Sequence, residues 1–167
     1  HMDNKDVRER TTPSAGFIHA YDKSVHGYAL NIKNNGEAAG CTDCHTSHSI
    51  IKGSDFRSSV FKLNIPNTCG KCHSDIQKEF SESIHGQLVA KGNGDAPSCT
   101  NCHGEHNILN IKDPNAPVAF QNVSSQVCSP CHESMKLSEK YGLAANRYKT
   151  FSTSYHGLAL SGGSASV

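Results

Sequence analysis

The sequence predicts a mainly α-helical chain with extensive irregular loops, and three observations carry that expectation. In SDIQKEFSESIHGQLVAK, residues 74–91, Ile76, Phe80, Ile84 and Leu88 recur every four residues. That is the period of one helix face, and Asp75 and Glu79 stand near its start, where negative charge suits the helix dipole. Gly, Pro, Asn, Ser and Thr crowd the intervening stretches, with NIPN (64–67) and DPNAP (113–117) reading as turns. No alternation of apolar and polar residues marks a strand. Apolar residues make up only 35% of the 167 and there is no Trp, so the protein has little of its own to bury. Something besides side chains must supply core.

An internal repeat orders the elements. With an offset of 58 to 59 residues, His26 falls on His85, Cys41 on Cys99, His48 on His106, Val60 on Val118, and Cys69 on Cys128. Each copy reads SxHG, a Gly/Asn-rich link, CxxCHxxH, a loop of some 20 residues, and a second CxxCH. The expected organisation is an N-terminal arm (1–16) that opens with a cloning remnant, a first module (17–75), a second module (76–134), and a C-terminal part (135–167). The last holds a further helical stretch around Leu137, Tyr141, Tyr148, Phe151 and Tyr155, broken at Gly142. It also repeats SxHG as SYHG (154–157), read as the start of a truncated third module.

All eight cysteines lie in four motifs of one form: CTDCH from Cys41, CGKCH from Cys69, CTNCH from Cys99 and CSPCH from Cys128. CxxC alone also occurs in thioredoxin-like redox pairs, zinc knuckles and secreted disulfide frameworks, but none of these requires a histidine immediately afterwards. CxxCH reads as the attachment site of c-type haem, in which two thiols add to the vinyl groups and the imidazole reaches the iron. Four c-type haems are expected, held by Cys41 and Cys44, Cys69 and Cys72, Cys99 and Cys102, and Cys128 and Cys131. The proximal iron ligands are then His45, His73, His103 and His132.

Six histidines remain for the opposite faces: His19, His26, His48, His85, His106 and His156. His19 has no counterpart in the second copy and reads as a surface or supporting imidazole. His48 and His106 follow a proximal histidine by three residues, too close to cross to the other face of the same haem, so each is expected to serve a neighbour. His26 and His85 precede the next motif by 15 and 14 residues, slack enough to fold over that haem. Gly27 and Gly86 would let the backbone approach the porphyrin, and Ser24 and Ser83 would cap or orient. The simplest pairing is His26 with His45, His48 with His73, His85 with His103 and His106 with His132. A shifted scheme pairs His85 with His73 and His156 with His132. Surface histidines with water at iron are a further alternative, whereas Met135 reads as packing. His156 either caps the haem at His132, caps a haem in a neighbouring chain, or belongs to the third module.

SVHG with CTDCHTSH and CGKCH, then SIHG with CTNCHGEH and CSPCH, resembles the multihaem c-type cytochromes with paired CxxCH motifs, a class that includes periplasmic decahaem electron conduits. The resemblance spans most of residues 21–132. It implies bis-histidine, low-spin, closely stacked haems with the polypeptide wrapped around the haem chain. Filled axial positions leave no vacancy for substrate and lack the potential-raising thioether of Met/His ligation, so low-potential electron transfer is expected rather than enzymatic catalysis. The alternatives are a multihaem reductase or oxidase of a small nitrogen or sulfur compound, which needs one five-coordinate haem, and a haem-based sensor segment. Haem attachment takes place outside the cytoplasm, so the expected setting is periplasmic or extracellular, in bacterial anaerobic respiration, as a free protein or as part of a membrane-anchored one. Expected partners are other redox proteins, further haem modules of a longer chain, or a quinone-linked membrane protein; the readings also admit oligomerisation. A formal charge of +1 gives no basic footprint for nucleic acid.

Overall fold

A computed structural model describes residues 16–144 and 146–164. All of the expected N-terminal arm except Gly16 lies outside the described residues. The chain divides into two compact units, His1–Ile108 and Leu109–Val167. Compactness and repeat thus have different boundaries: the first unit takes in three CxxCH motifs and the second takes in one. Among the described residues there is no strand, and no helix is long and apolar enough to cross a membrane.

The first unit contains α1 (Gly16–Asp22), α2 (Val25–Asn31), α3 (Cys41–His45), α4 (Ile65–Gly70), α5 (Ser74–Glu82), α6 (Ile84–Ala90) and α7 (Cys99–His103). The second contains a π-helical turn (Val123–Cys128), then α8 (Ser129–His132), α9 (Met135–Tyr141), α10 (Arg147–Ser152) and α11 (Tyr155–Ser161). The longest of these has 9 residues, well short of the roughly 12–15 at which an isolated helix holds together in water. Local devices and packing must therefore do the work that length cannot.

SxHG is one such device. The helix expected to run through residues 74–91 is in fact two, α5 and α6, parted at Ser83, which takes an extended conformation. The Ser83 hydroxyl accepts from the Gly86 N–H at 3.1 Å and donates to the Phe80 carbonyl at 2.6 Å. Ser24 and Ser154 likewise accept from Gly27 and Gly157, at 3.0 and 3.2 Å, as N-caps of α2 and α11. In each copy the serine N–H also bonds the carbonyl three residues back, on Tyr21, Phe80 or Phe151. The glycine is demanded by this corner. A Cβ on Gly27, Gly86 or Gly157 would stand 2.1, 1.9 or 2.1 Å from that same carbonyl oxygen. At Gly27 and Gly86 the close approach expected of a porphyrin is thus taken up by backbone of the preceding helix.

The loops before the second motif of each copy are staircases of three-residue turns. Ser58, Phe61 and Asn64 donate their N–H groups to Asp55, Ser58 and Phe61; one repeat later Ala116, Ala119 and Asn122 donate to Asp113, Ala116 and Ala119. A side-chain amide clamps each staircase. Asn64 Nδ2 donates to the Phe56 and Ser58 carbonyls, both at 2.8 Å, and Asn122 Nδ2 to those of Pro114 and Ala116, at 2.8 and 2.9 Å. DPNAP belongs to the turns, as expected, whereas the Pro66 of NIPN opens α4, where its fixed φ fits a first helical turn. The clamp residues are 58 apart, yet Cys69 and Cys128 are 59 apart. The extra residue falls where α4 is matched by the π turn, which holds one more residue per turn than an α-helix.

Buried apolar residues among those described are few and mostly small: Ile65, Val89, Ala96, Ala116 and Ala119. Phe56 (74% exposed), Ile50 (71%) and Met135 (76%) stay outside. The helical stripe behaves the same way, since Ile76 and Ile84 are exposed at 60% and 66%. In the second unit the C-terminal helical stretch breaks at Gly142 as expected, this glycine closing α9 in the left-handed conformation (φ 64°), and is divided again between α10 and α11.

Candidate functional site

CxxCH is the length of one helical turn. Its cysteines at i and i+3 and its histidine at i+4 share a face, and α3 and α7 coincide with CTDCH and CTNCH. The third letter of neither motif is idle. Asp43 Oδ2 accepts from the Gly40 N–H at 2.7 Å and Asn101 Oδ1 from the Ser98 N–H at 2.9 Å, so each turn is closed by a side chain reaching back over its start. The sequence reading missed these two caps, although Asp and Asn at matched positions signal them. In CGKCH, Cys69 lies near the end of α4 and His73 caps the start of α5; in CSPCH, α8 follows directly on the π turn.

Within the first unit, α3 and α7 both pack on α4, which gathers three attachment motifs. The Cys69 thiol donates a hydrogen bond to the Cys99 sulfur; this bond pushes Cys69 far up and brings Cys99 down to about 7. Burial first, then the nearby Cys69, raises Cys44. Lys71 Nζ reaches across to the Asp43 carbonyl at 3.4 Å.

The residue after each first-motif histidine turns the chain sharply. Thr46 has φ 64°, ψ 166° and Gly104 has φ 81°, ψ −179°, a region nearly confined to glycine. The Thr46 hydroxyl steadies its turn by donating to the Ser49 carbonyl at 3.0 Å. His48 and His106 therefore lie beyond the helical turn of His45 and His103.

Two imidazole pairs follow. His26 on α2 lies 6.1 Å, centroid to centroid, from His73, with ring planes 44° apart. His106 lies 6.0 Å from His45, with planes parallel within 6°. These are not the pairs of the simplest expected scheme: His26 meets His73 instead of His45, and His106 meets His45. The physical reason is the fold of the first unit, which sets His26 of α2 beside His73 at the start of α5 and brings the turn after α7 back to α3. The Val25 N–H bonds the Ile108 carbonyl at 2.8 Å, and the Phe17 ring lies 5.4 Å from that of His106.

Elsewhere, His48 is exposed beside Arg57 and Ser59 in a shallow pocket. His85 is half-buried on α6, and His103 is half-buried at the end of α7. His132 ends α8, half-buried. His156 is exposed on α11, its ring edge-on to Tyr155 at 5.8 Å. His19 is exposed on α1, and Met135 begins α9.

The donor set fits a haem iron. Two imidazoles bound end-on to one metal through bonds of about 2 Å set their centroids about 6 Å apart, whereas a direct N–H···N bond of about 2.9 Å would draw them to about 5 Å. Both pairs have the wider spacing. Burial first, then neighbouring His73, holds His26 below the ordinary imidazole range, and the same two causes act on His103. The neutral ring thus favoured is the form that binds metal. Among the described residues no three His, Cys, Asp or Glu side chains converge into a metal cage of the zinc type.

Residues 34–78, which span the first two motifs, match a family model described as the doubled CXXCH motif. No curated protein and no solved structure matches. The match supports a multihaem c-type cytochrome, in which CxxCH motifs hold haem covalently.

Proposed function

We propose that this chain carries four c-type haems, one on each CxxCH motif, with each iron between two histidines, and that it is an electron-transfer protein rather than an enzyme. The observation that carries the reading is the pair of imidazole–imidazole spacings near 6 Å at His26–His73 and His45–His106. When bound, haem supplies one-electron chemistry at iron. The protein's part is to fix, ligate and space. Cysteines at i and i+3 would hold the haem to a single helical turn, and histidines would ligate its iron. The packing of α3 and α7 on α4, with Cys69 against Cys99, keeps three attachment points within a few side chains of one another. Large apolar side chains that find no protein core, such as Phe56 and Ile50, suit the faces of a porphyrin.

The low potentials that imidazole pairs confer suit anaerobic respiration in the periplasm or at the cell surface, with other redox proteins, further haem modules or a quinone-linked membrane protein as exchange partners. The intact mass of the native protein should show four haems. Its oxidised spectrum should be wholly low-spin, and its reduced form should not bind carbon monoxide. A native high-spin, carbon-monoxide-binding iron would instead identify a five-coordinate haem and redirect the reading to reduction or oxidation of a small substrate.

A further inference from the structure

We propose that the first repeat borrows a ligand from the second: His106, carried by the second repeat, completes the iron attached at Cys41, Cys44 and His45 in the first, while His26 passes over that haem to complete the next one in its own repeat, at Cys69, Cys72 and His73. This rests on the bis-histidine reading above and adds to it which imidazole serves which iron. Three independent placements support it. His106 and His45 face each other at 6.0 Å although 61 residues separate them in the chain. The strand of chain bearing His106 is tied to the first repeat by the Val25–Ile108 backbone bond and by Phe17 against the His106 ring. The sharp turn at Gly104 directs His106 away from the motif that carries it, and Thr46 repeats the turn at the matching place. The compact unit accordingly ends at Ile108, just past the borrowed ligand, and not at the repeat boundary.

The holoprotein of this chain provides the test. His106→Ala should convert one haem in four from low-spin to high-spin and give it carbon monoxide binding, with all four haems still attached. Combined with Cys41→Ala and Cys44→Ala, which remove the first haem, the same substitution should produce no high-spin iron. His26→Ala should make one haem high-spin in either background. A high-spin signal from His106→Ala that survives removal of the first haem would overturn the borrowed ligand, as would a wholly low-spin His106→Ala protein, yet either leaves the bis-histidine reading standing. A high-spin iron already present before any substitution sinks that reading instead. His106→Met covers a poorly folding alanine variant: one potential, that of the first haem, should rise on gaining a thioether ligand, and unchanged potentials would refute the borrowed ligand.

Discussion

Gly27→Ala isolates the contribution of the SxHG corner. The added Cβ would sit 2.1 Å from the Tyr21 carbonyl oxygen, 2.8 Å from its carbon and 3.0 Å from the Asp22 Cα, all of them backbone atoms that no rotamer change can move aside. The corner must open by about 1.3 Å or more to restore ordinary contact. Such overpacking costs about 1–3 kcal/mol. Opening also pulls the Gly27 N–H from the buried Ser24 hydroxyl, which it meets at 3.0 Å, a cap worth about 1 kcal/mol. The expected loss is therefore about 2–4 kcal/mol, a large share of the roughly 5–15 kcal/mol that holds a domain together. Denaturant unfolding of the holoprotein followed by far-ultraviolet circular dichroism measures it. Gly94→Ala is the control, since its Cβ meets nothing within 4 Å. His26 lies one residue before Gly27, so opening the corner should also shift His26 off His73 and raise the high-spin fraction. A Gly27→Ala protein within about 0.5 kcal/mol of the parent, the ordinary scatter for surface substitutions, and with an unchanged spectrum would refute the reasoning.

Two further substitutions probe the turns. Gly104→Ala should lower stability by about 1–3 kcal/mol, because a side chain at φ 81°, ψ −179° is strained whatever space surrounds it; thermal unfolding of the holoprotein reads this directly, and an unshifted midpoint would contradict the strain. Asn64→Ala removes both amide bonds of the staircase clamp and should cost about 1–3 kcal/mol. Asn122→Ala should match it in size, and a large disparity would show that the two staircases are not equivalent.

The chemistry of the chain was largely readable from its letters, because CxxCH is a single helical turn and its roles are set by spacing inside that turn. The SxHG serines were also readable as caps. What they cap was not. Ile76, Phe80, Ile84 and Leu88 keep a perfect four-residue period across Ser83, so periodicity alone reported one helix where a corner divides two. The two imidazole pairs escaped for another reason: they join residues 47 and 61 apart, and chain proximity, the only guide to distance in a sequence, favoured His26 with His45. The Asn64 and Asn122 clamps could have been found, since they repeat at the same 58-residue offset as His48 and His106, although nothing in an asparagine announces which carbonyls it will hold.

The π turn at Val123–Cys128 shows what the repeats protect. Inserting one residue into an α-helix swings everything after it by about 100° around the axis, which would have carried Cys128, Cys131 and His132 away from the side that the Asn122 clamp sets. Widening a single turn absorbs the added residue and returns the later positions to phase. A widened turn of this kind lets the direction in which a motif emerges be kept while chain length drifts. Alignments of such repeats that penalise a gap within the helix would miss the correspondence, whereas those that follow angular position would recover it.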